Sequence, residues 1–424
     1  MPFNTVSWAL RANIYEVNLR QYTKEGTLQA FAAHLPRLAD MGVTVLWFMP
    51  ITPISIKGRL GTLGSYYACS DYTSINSEFG SEQEFIAVVH AAHELGMKVI
   101  IDWVANHTGQ DHVWARSNPN FYIQDAHGNF TERNGWSDVI DLNFDNYDMR
   151  TSMIDAMRYW VDTAGIDGFR CDMAHLVPLD FWVEARQALD AVKPLYWLAE
   201  CEDTRYFEAF DTTYAWAFMH ASGSLNRHEP NLNPVLEQLD IYASEGANTQ
   251  KLFFTSNHDE NSWNGTEYEK YGVTAKAWAV FTTTWGGLPL VYSGQEISNH
   301  KRLSFFEKDE LAWPQQTKQP ILHAFYKALF SLRTQNEAVV FGQNQMLQTP
   351  YPNSIIAFIK KHQNNVVLVL LNISEHNRLA FEISHPLLSG NFEQIFSGLR
   401  FLFSGKEKFE LQAGEYLVYQ LIPH

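Results

Sequence analysis

Between residues 13 and 340, short apolar runs alternate with longer amphipathic segments, and that alternation restricts the possible fold more than any other feature of the chain. A strand buried on both faces reads as a continuous apolar run, whereas a helix laid against a sheet shows an apolar stripe with a period near 3.6. Eight strand-like runs occur, at 13–17, 44–49, 98–103, 168–172, 196–200, 212–214, 251–256 and 289–293. Helical patterns lie between them at 27–41, 82–95, 150–164, 181–192, 234–243 and 273–285, and a last one at 321–334 closes the series. Eight such strands with their helices predict an α/β chain folded as a (β/α)8 TIM barrel.

Two of the runs end abruptly in an acid, Gly168-Phe169-Arg170-Cys171-Asp172 and Tyr196-Trp197-Leu198-Ala199-Glu200, and a third acid follows in Phe254-Thr255-Ser256-Asn257-His258-Asp259. The carboxyl ends of parallel strands are where a barrel of this kind places its chemistry. Two carboxyls facing one pocket divide the labour of glycoside cleavage, one as nucleophile and one as proton donor. Period-two alternation sends Arg170 and Asp172 to one face and Cys171 to the other. A guanidinium beside Asp172 favours the ionised carboxylate that a nucleophile requires, the competing reading being an ordinary buried ion pair. Glu200 and Glu202 lie on the same side of an extended strand, so both are candidates for the proton donor.

The length of 424 residues suits a large barrel with a smaller partner, and 46% hydrophobic content supplies a core. A formal charge of -16 argues against nucleic acid or an anionic membrane as the partner and leaves a neutral ligand as the better fit. The 13 Trp and 19 Tyr provide the flat faces that bind the apolar side of a sugar ring, although most such rings fill cores. Cys69, Cys171 and Cys201 show no paired spacing, which predicts neither disulfides nor a zinc site. Residues 1–20 contain no apolar stretch of signal-peptide length, and with Met1 as the start a cytoplasmic location is expected.

About forty residues separate Asn106 from the helical pattern at 150, and their content of aromatic residues, Asn and Gly predicts a folded excursion over the barrel mouth. Beyond residue 340 the helical period gives way to alternating runs at 355–360, 366–372, 378–383 and 415–422, the pattern of a small antiparallel β-sandwich. The expected organisation is therefore a catalytic barrel at 1–107 and 141–340, an inserted subdomain at 108–140 and a C-terminal β-sandwich at 341–424.

Asp102-Trp103-Val104-Ala105-Asn106-His107, Gly168 to Asp172, Glu200, and Phe254 to Asp259 fall in order at strand ends. Together they resemble the four signatures of the α-amylase family of retaining glycoside hydrolases and transglycosylases, and the resemblance covers nearly the whole chain. It implies Asp172 as nucleophile, Glu200 rather than Glu202 as general acid, and Asp259 as a third acid that grips sugar hydroxyls at the transition state. It further implies His107 and His258 as hydroxyl binders, Arg170 as the partner of the nucleophile, and Asp102 as a supporting residue at the barrel mouth. The stretch Ser65-Tyr66-Tyr67-Ala68-Cys69-Ser70-Asp71-Tyr72 resembles the family segment whose tyrosine, Tyr67 by register, stacks under the cleaved sugar.

In the same family a calcium ion often ties the excursion to the barrel, and Asn106 and Asp141 match two of its ligand positions. Calcium takes six to eight oxygens. The chain also departs from the family pattern at His175-Leu176, where a lysine-histidine pair is usual. No organic cofactor is implied. The leading expectation is hydrolysis of α-1,4-linked glucans, starch-derived maltodextrins or malto-oligosaccharides through a covalent glycosyl-aspartate. One alternative is a transglycosylase, with Trp136 and Trp263 as acceptor-side rings, and another is an inactive amylase-like binding subunit. A metal-dependent barrel hydrolase would need paired histidines after a strand, and none occurs.

Overall fold

The computed structural model describes residues 3–246, 249–314 and 319–422. Its centre is a closed barrel of eight parallel strands: β1 (Ile14–Val17), β2 (Val45–Phe48), β3 (Lys98–Trp103), β4 (Gly168–Cys171), β5 (Tyr196–Ala199), β6 (Thr212–Tyr214), β7 (Gln250–Phe253) and β8 (Leu288–Tyr292). β8 closes on β1 with Leu290 opposite Ile14. All eight coincide with the runs expected from the sequence, because burial on both faces leaves little room for polar residues until a strand reaches the mouth.

Alternation along these strands divides the residues cleanly. Ile14, Val45, Ile100, Leu198 and Leu290 pack together inside the barrel, while Tyr15, Leu46, Ile101, Phe169 and Val291 belong to the larger core under the helices. Two residues further along the inward rows come Glu16, Trp47, Asp102, Arg170 and Glu200. The same period that fills the barrel with apolar side chains therefore delivers its polar set to the carboxyl end. Gly168 is needed for closure: a Cβ there would sit 2.1 Å from the carbonyl oxygen of Tyr196 on the neighbouring strand.

The helices follow the predicted stripes with one instructive difference. The segment expected as one helix over 27–41 forms two, Leu28–Ala32 and Leu35–Met41. Pro36 has no N–H to continue the ladder and sits instead in the first turn of the second helix, where none is required.

After β3 the chain leaves the barrel through a short hairpin, His107–Gly109 paired with Val139–Asp141, and the residues between them make the excursion. The C-terminal part is antiparallel and forms one continuous sheet of six strands: β9 (Gln343–Met346), β10 (Ile355–His362), β11 (Asn365–Asn372), β12 (Leu379–Gln394), β13 (Arg400–Leu411) and β14 (Tyr416–Leu421). Its layered core arises because Ile355, Ala357, Leu368 and Leu370 meet Phe381, Ile383, Phe403 and Leu411 in one apolar cluster. The opposite face of β10 and β11, including Phe358 and Val369, packs on the barrel's outer core, with Phe358 edge-on to Trp285 at 5.1 Å. No helix among the described residues is long and apolar enough to cross a membrane.

Candidate active site

Arg170 organises the mouth of the barrel. Its guanidinium is fully buried; Nη1 donates to Asp102 Oδ1 at 2.8 Å and to Asp172 Oδ1 at 2.9 Å, and Nε donates to the Tyr214 hydroxyl at 3.1 Å. Nη2 lies 2.8 Å from Glu200 Oε2 as an ion contact without hydrogen-bond alignment. One cation thus touches three carboxylates and lies over the ring of Trp47 at 5.0 Å.

Asp172 and Glu200 are 6% and 5% exposed, so both reach the pocket from within the protein. Burial pushes the Asp172 carboxyl up to about 6, against the pull of Arg170 and with the help of Asp102 and Asp259. Burial likewise pushes Glu200 up to about 7, again opposed by Arg170 and reinforced by Asp172 and Asp259. The order is the useful result. Asp172, held by an aligned donor from Arg170, ionises before Glu200, which keeps a proton near neutrality. Glu200 Oε2 also accepts the Met173 N–H at 2.9 Å, and Met173 holds that geometry at φ 39°, a left-handed conformation uncommon for a residue other than glycine.

Asp259 is the most open of the three acids, with 37% of its side chain exposed. Burial raises its carboxyl, but the His258 imidazolium and Arg170 outweigh that effect and hold it below the usual carboxylate range. His258 Nε2 lies 3.2 Å from Asp259 Oδ2 and 2.7 Å from the Tyr67 hydroxyl, while Nδ1 bonds Glu16 Oε1. Desolvation alone would lower the His258 pKa; Asp259 and Glu16 together raise it well above the ordinary value. The Tyr67 hydroxyl donates on to Asp102 Oδ2 at 3.0 Å, and its ring stacks on His258 at 5.4 Å. Asp102, bonded also to Trp47 Nε1 at 3.2 Å, has no open oxygen for chemistry and serves as a junction. His107 is buried beside Trp136, ring centroids 5.2 Å apart, and burial drives its pKa down to about 4, which keeps it neutral.

Tyr67, His107, Asp172, Glu200 and Asp259 converge on one cavity of about 340 Å³. Arg170 and His258 stand behind it, bonded to its wall. A second groove, about 700 Å³, shares Met173, Glu200 and Asp259 and continues past Glu202, Trp216 and His220. Glu202, the rival acid, is engaged elsewhere: its carboxylate accepts the Ala217 N–H and the Tyr242 hydroxyl, capping the helix Trp216–Gly223. Trp136 and Trp263 line the cavity that holds Asp172, and Tyr206 and Trp216 line the second groove.

Residue-level reading missed Glu16, Trp47, Phe305 and Phe306. An acid inside the run Ile14-Tyr15-Glu16-Val17, two residues from an inward apolar position, was the available signal for Glu16. The Phe pair carries no comparable sign, since it lies in a long loop after β8.

A family model described as the alpha-amylase catalytic domain matches residues 11–134 and 116–302 of the chain. The chain belongs to the alpha-amylase family. Alpha-amylase MalA of Haloarcula japonica is 26% identical over 398 residues, an alignment covering 88% of this chain and 56% of that protein. The chain thus spans little more than half the length of that relative. Among solved structures, the noncanonic maltogenic alpha-amylase AmyB from Thermotoga neapolitana superposes with TM-score 0.86 at 30% identity, covering 98% of this chain and 99% of that one. An alpha-amylase from Lactobacillus plantarum gives TM-score 0.86 at 27% identity, with the same coverage.

The calcium ion common in alpha-amylases finds a poor donor set in this chain. Among the described residues no group of three or more His, Cys, Asp or Glu is spaced to hold a metal ion. Asp141 is fully buried and its Oδ2 already accepts Arg133 Nε at 2.6 Å. The Asn106 side-chain amide is turned to His107 Nδ1 at 3.2 Å. A guanidinium on one of only two expected ligands repels a divalent cation, and two oxygens fall far short of six. The half-exposed Arg133 pairs with Asp141 at the root of the excursion, and with Asp141 Oδ1 the one carboxylate oxygen left unbonded, the Asn106–Asp141 pair falls short of a calcium site.

Proposed function

We propose that the chain hydrolyses α-glucosidic bonds of malto-oligosaccharides and related α-glucans with retention of anomeric configuration. The observation that carries this reading is the convergence of Asp172, Glu200 and Asp259 on one cavity, with Arg170 bonded to the first and touching the second. Asp172 attacks the anomeric carbon while Glu200 gives its proton to the departing oxygen, leaving a glycosyl ester on Asp172. Water then attacks that ester, with Glu200 as base taking the proton back. His258 and Asp259 bind sugar hydroxyls, and Tyr67 offers its ring beneath the reacting unit. The names of the relatives, alpha-amylases in each case, support the same substrate class.

The second groove contains the acid but neither Asp172 nor Tyr67, which assigns it to the leaving-group side in this reading. Product analysis with maltoheptaose tests the proposal. Wild type should release shorter sugars only, Asp172→Asn should release none, and Glu200→Gln should release them far more slowly. Products longer than the substrate would instead make transfer to a second sugar, seated against Trp216, the main reaction.

A further inference from the structure

The cavity on the nucleophile's side is walled by loops that are bonded to one another, and the bonding is specific. The loop after β2 and the loop after β8 meet where the Leu63 N–H donates to the Phe306 carbonyl at 3.1 Å and the Thr62 N–H donates to Glu307 Oε1 at 2.8 Å. Their close approach depends on Gly61, since a Cβ at that position would lie 2.6 Å from the Phe306 Cβ. Beneath the contact, the fully buried Arg20 donates to the Gly64 carbonyl of one loop at 2.9 Å and to the Phe305 carbonyl of the other at 3.3 Å. Its charge is balanced by Glu78 at 2.9 Å.

The same β2 loop is fastened on its other flank to the excursion, where Asp111 Oδ2 accepts the Ile56 and Lys57 N–H groups at 3.0 and 3.1 Å. Gln110 Nε2 in turn donates to the Ser137 carbonyl, 2.8 Å away, across the root of the excursion. Leu60, Phe305 and Phe306 therefore face the cavity from loops that cannot part without breaking several bonds, and Ser137 faces it from the root of the excursion. Aromatic contacts continue the wall, Tyr67 stacked on Phe305 at 6.2 Å and Phe305 tilted against Trp263 at 5.3 Å.

Resting on the hydrolase reading above, we infer that this cavity is a blind pocket for the non-reducing end of the glucan, so that the enzyme works from chain ends and releases one or two glucose units. The direction follows from the chemistry: the sugar that becomes attached to Asp172 is the one on the non-reducing side of the broken bond. The length follows from the volume. At about 340 Å³ the cavity stands at the low end of small-ligand pockets, room for one or two rings, whereas the groove beyond Glu200 is about twice as large and takes the rest of the chain.

The test compares maltoheptaose with the same sugar carrying a 4,6-O-ethylidene block on its non-reducing end, following initial products by chromatography. Wild type is expected to release glucose or maltose first and to cleave the blocked sugar at least a hundredfold more slowly. The double variant Thr62→Ala, Glu307→Ala, which alters a surface contact outside the cavity lining, is expected to raise turnover of the blocked sugar at least tenfold. Equal wild-type rates on both sugars, or initial cleavage of maltoheptaose into maltotriose and maltotetraose, would overturn the blind pocket while leaving the hydrolase reading intact. Failure of wild type to cleave either sugar would overturn both.

Discussion

Glu16, on the first barrel strand, and His258, beyond the seventh, meet inside the mouth through Oε1 and Nδ1, each almost completely buried. The pair fixes the charge of a ring whose other nitrogen faces Asp259 and Tyr67. Desolvation by itself favours neutral histidine, so the imidazolium exists because two carboxylates flank it.

Glu16→Gln keeps the size of the side chain and removes one of those carboxylates. His258 is then expected to lose its proton within the working pH range, and Asp259 to lose a neighbour that holds it ionised. Relative to wild type, the activity of the variant should fall off on the alkaline side first and return toward the wild-type level as the pH is lowered. Imidazole nitrogen shifts in the NMR spectrum report the protonation directly. An unchanged His258 titration in the variant would show that Asp259 alone maintains the charge.

The working form of the site carries one proton shared by Asp172 and Glu200, and the two apparent pKa values belong to the pair. Below about 6 the pair takes up a second proton and above about 7 it loses the last one, so kcat/KM should follow a narrow bell centred between them. Glu200→Gln should cost about 10²–10⁴ in rate on maltoheptaose yet act on α-maltosyl fluoride, whose leaving group needs no proton. Asp172→Asn should be inactive on both. Absence of a first-turnover burst of fluoride from the Glu200 variant would remove the acid role assigned to it.

Arg133 is expected to do at the excursion what a bound cation does in many relatives by tying it down. Arg133→Gln leaves the buried Asp141 carboxylate without its partner, at a cost of about 1–3 kcal/mol that thermal unfolding would register. Dialysis against a chelator should leave the melting temperature of wild type unchanged. A drop on chelation, restored by calcium, would show that the ion binds despite the guanidinium.

Legibility in the sequence followed distance along the chain. Asp172 and Glu200 could be found because each is the inward residue next beyond an apolar strand, a pattern contained within five residues. Arg133 and Asp141 are eight apart, and nothing local says that their side chains meet. Glu16 and His258 are separated by 242 positions and become partners only when the barrel closes, β8 against β1. In the C-terminal sheet, β10 and β11 announced themselves through their continuous apolar runs, whereas β13, with exposed Lys406 and Lys408 beside buried Phe409 and Leu411, is not among the expected runs. Strand β12 runs on through Pro386 because the pairing with β13 shifts register between Ser384 and Ser389, where no ladder N–H is required.

Lys360, on β10, is buried at the junction of sheet and barrel, where its amine donates to the Trp285 and Val339 carbonyls, each at 2.7 Å. Among the described residues no carboxylate pairs with it, and burial together with Arg333 brings its pKa from 10.5 down to about 7. Folding therefore favours the neutral amine: the penalty is fully present below pH 7, shrinks as the pH rises and is gone above the unfolded value of 10.5. Wild type should gain stability over that window relative to Lys360→Met, by up to a few kcal/mol, since each tenfold loss of proton affinity on folding is worth about 1.4 kcal/mol. Urea unfolding of both proteins at pH 6.5 and pH 9.5 measures the difference, and a gap that stays constant between the two would show that Lys360 keeps its charge in the folded protein.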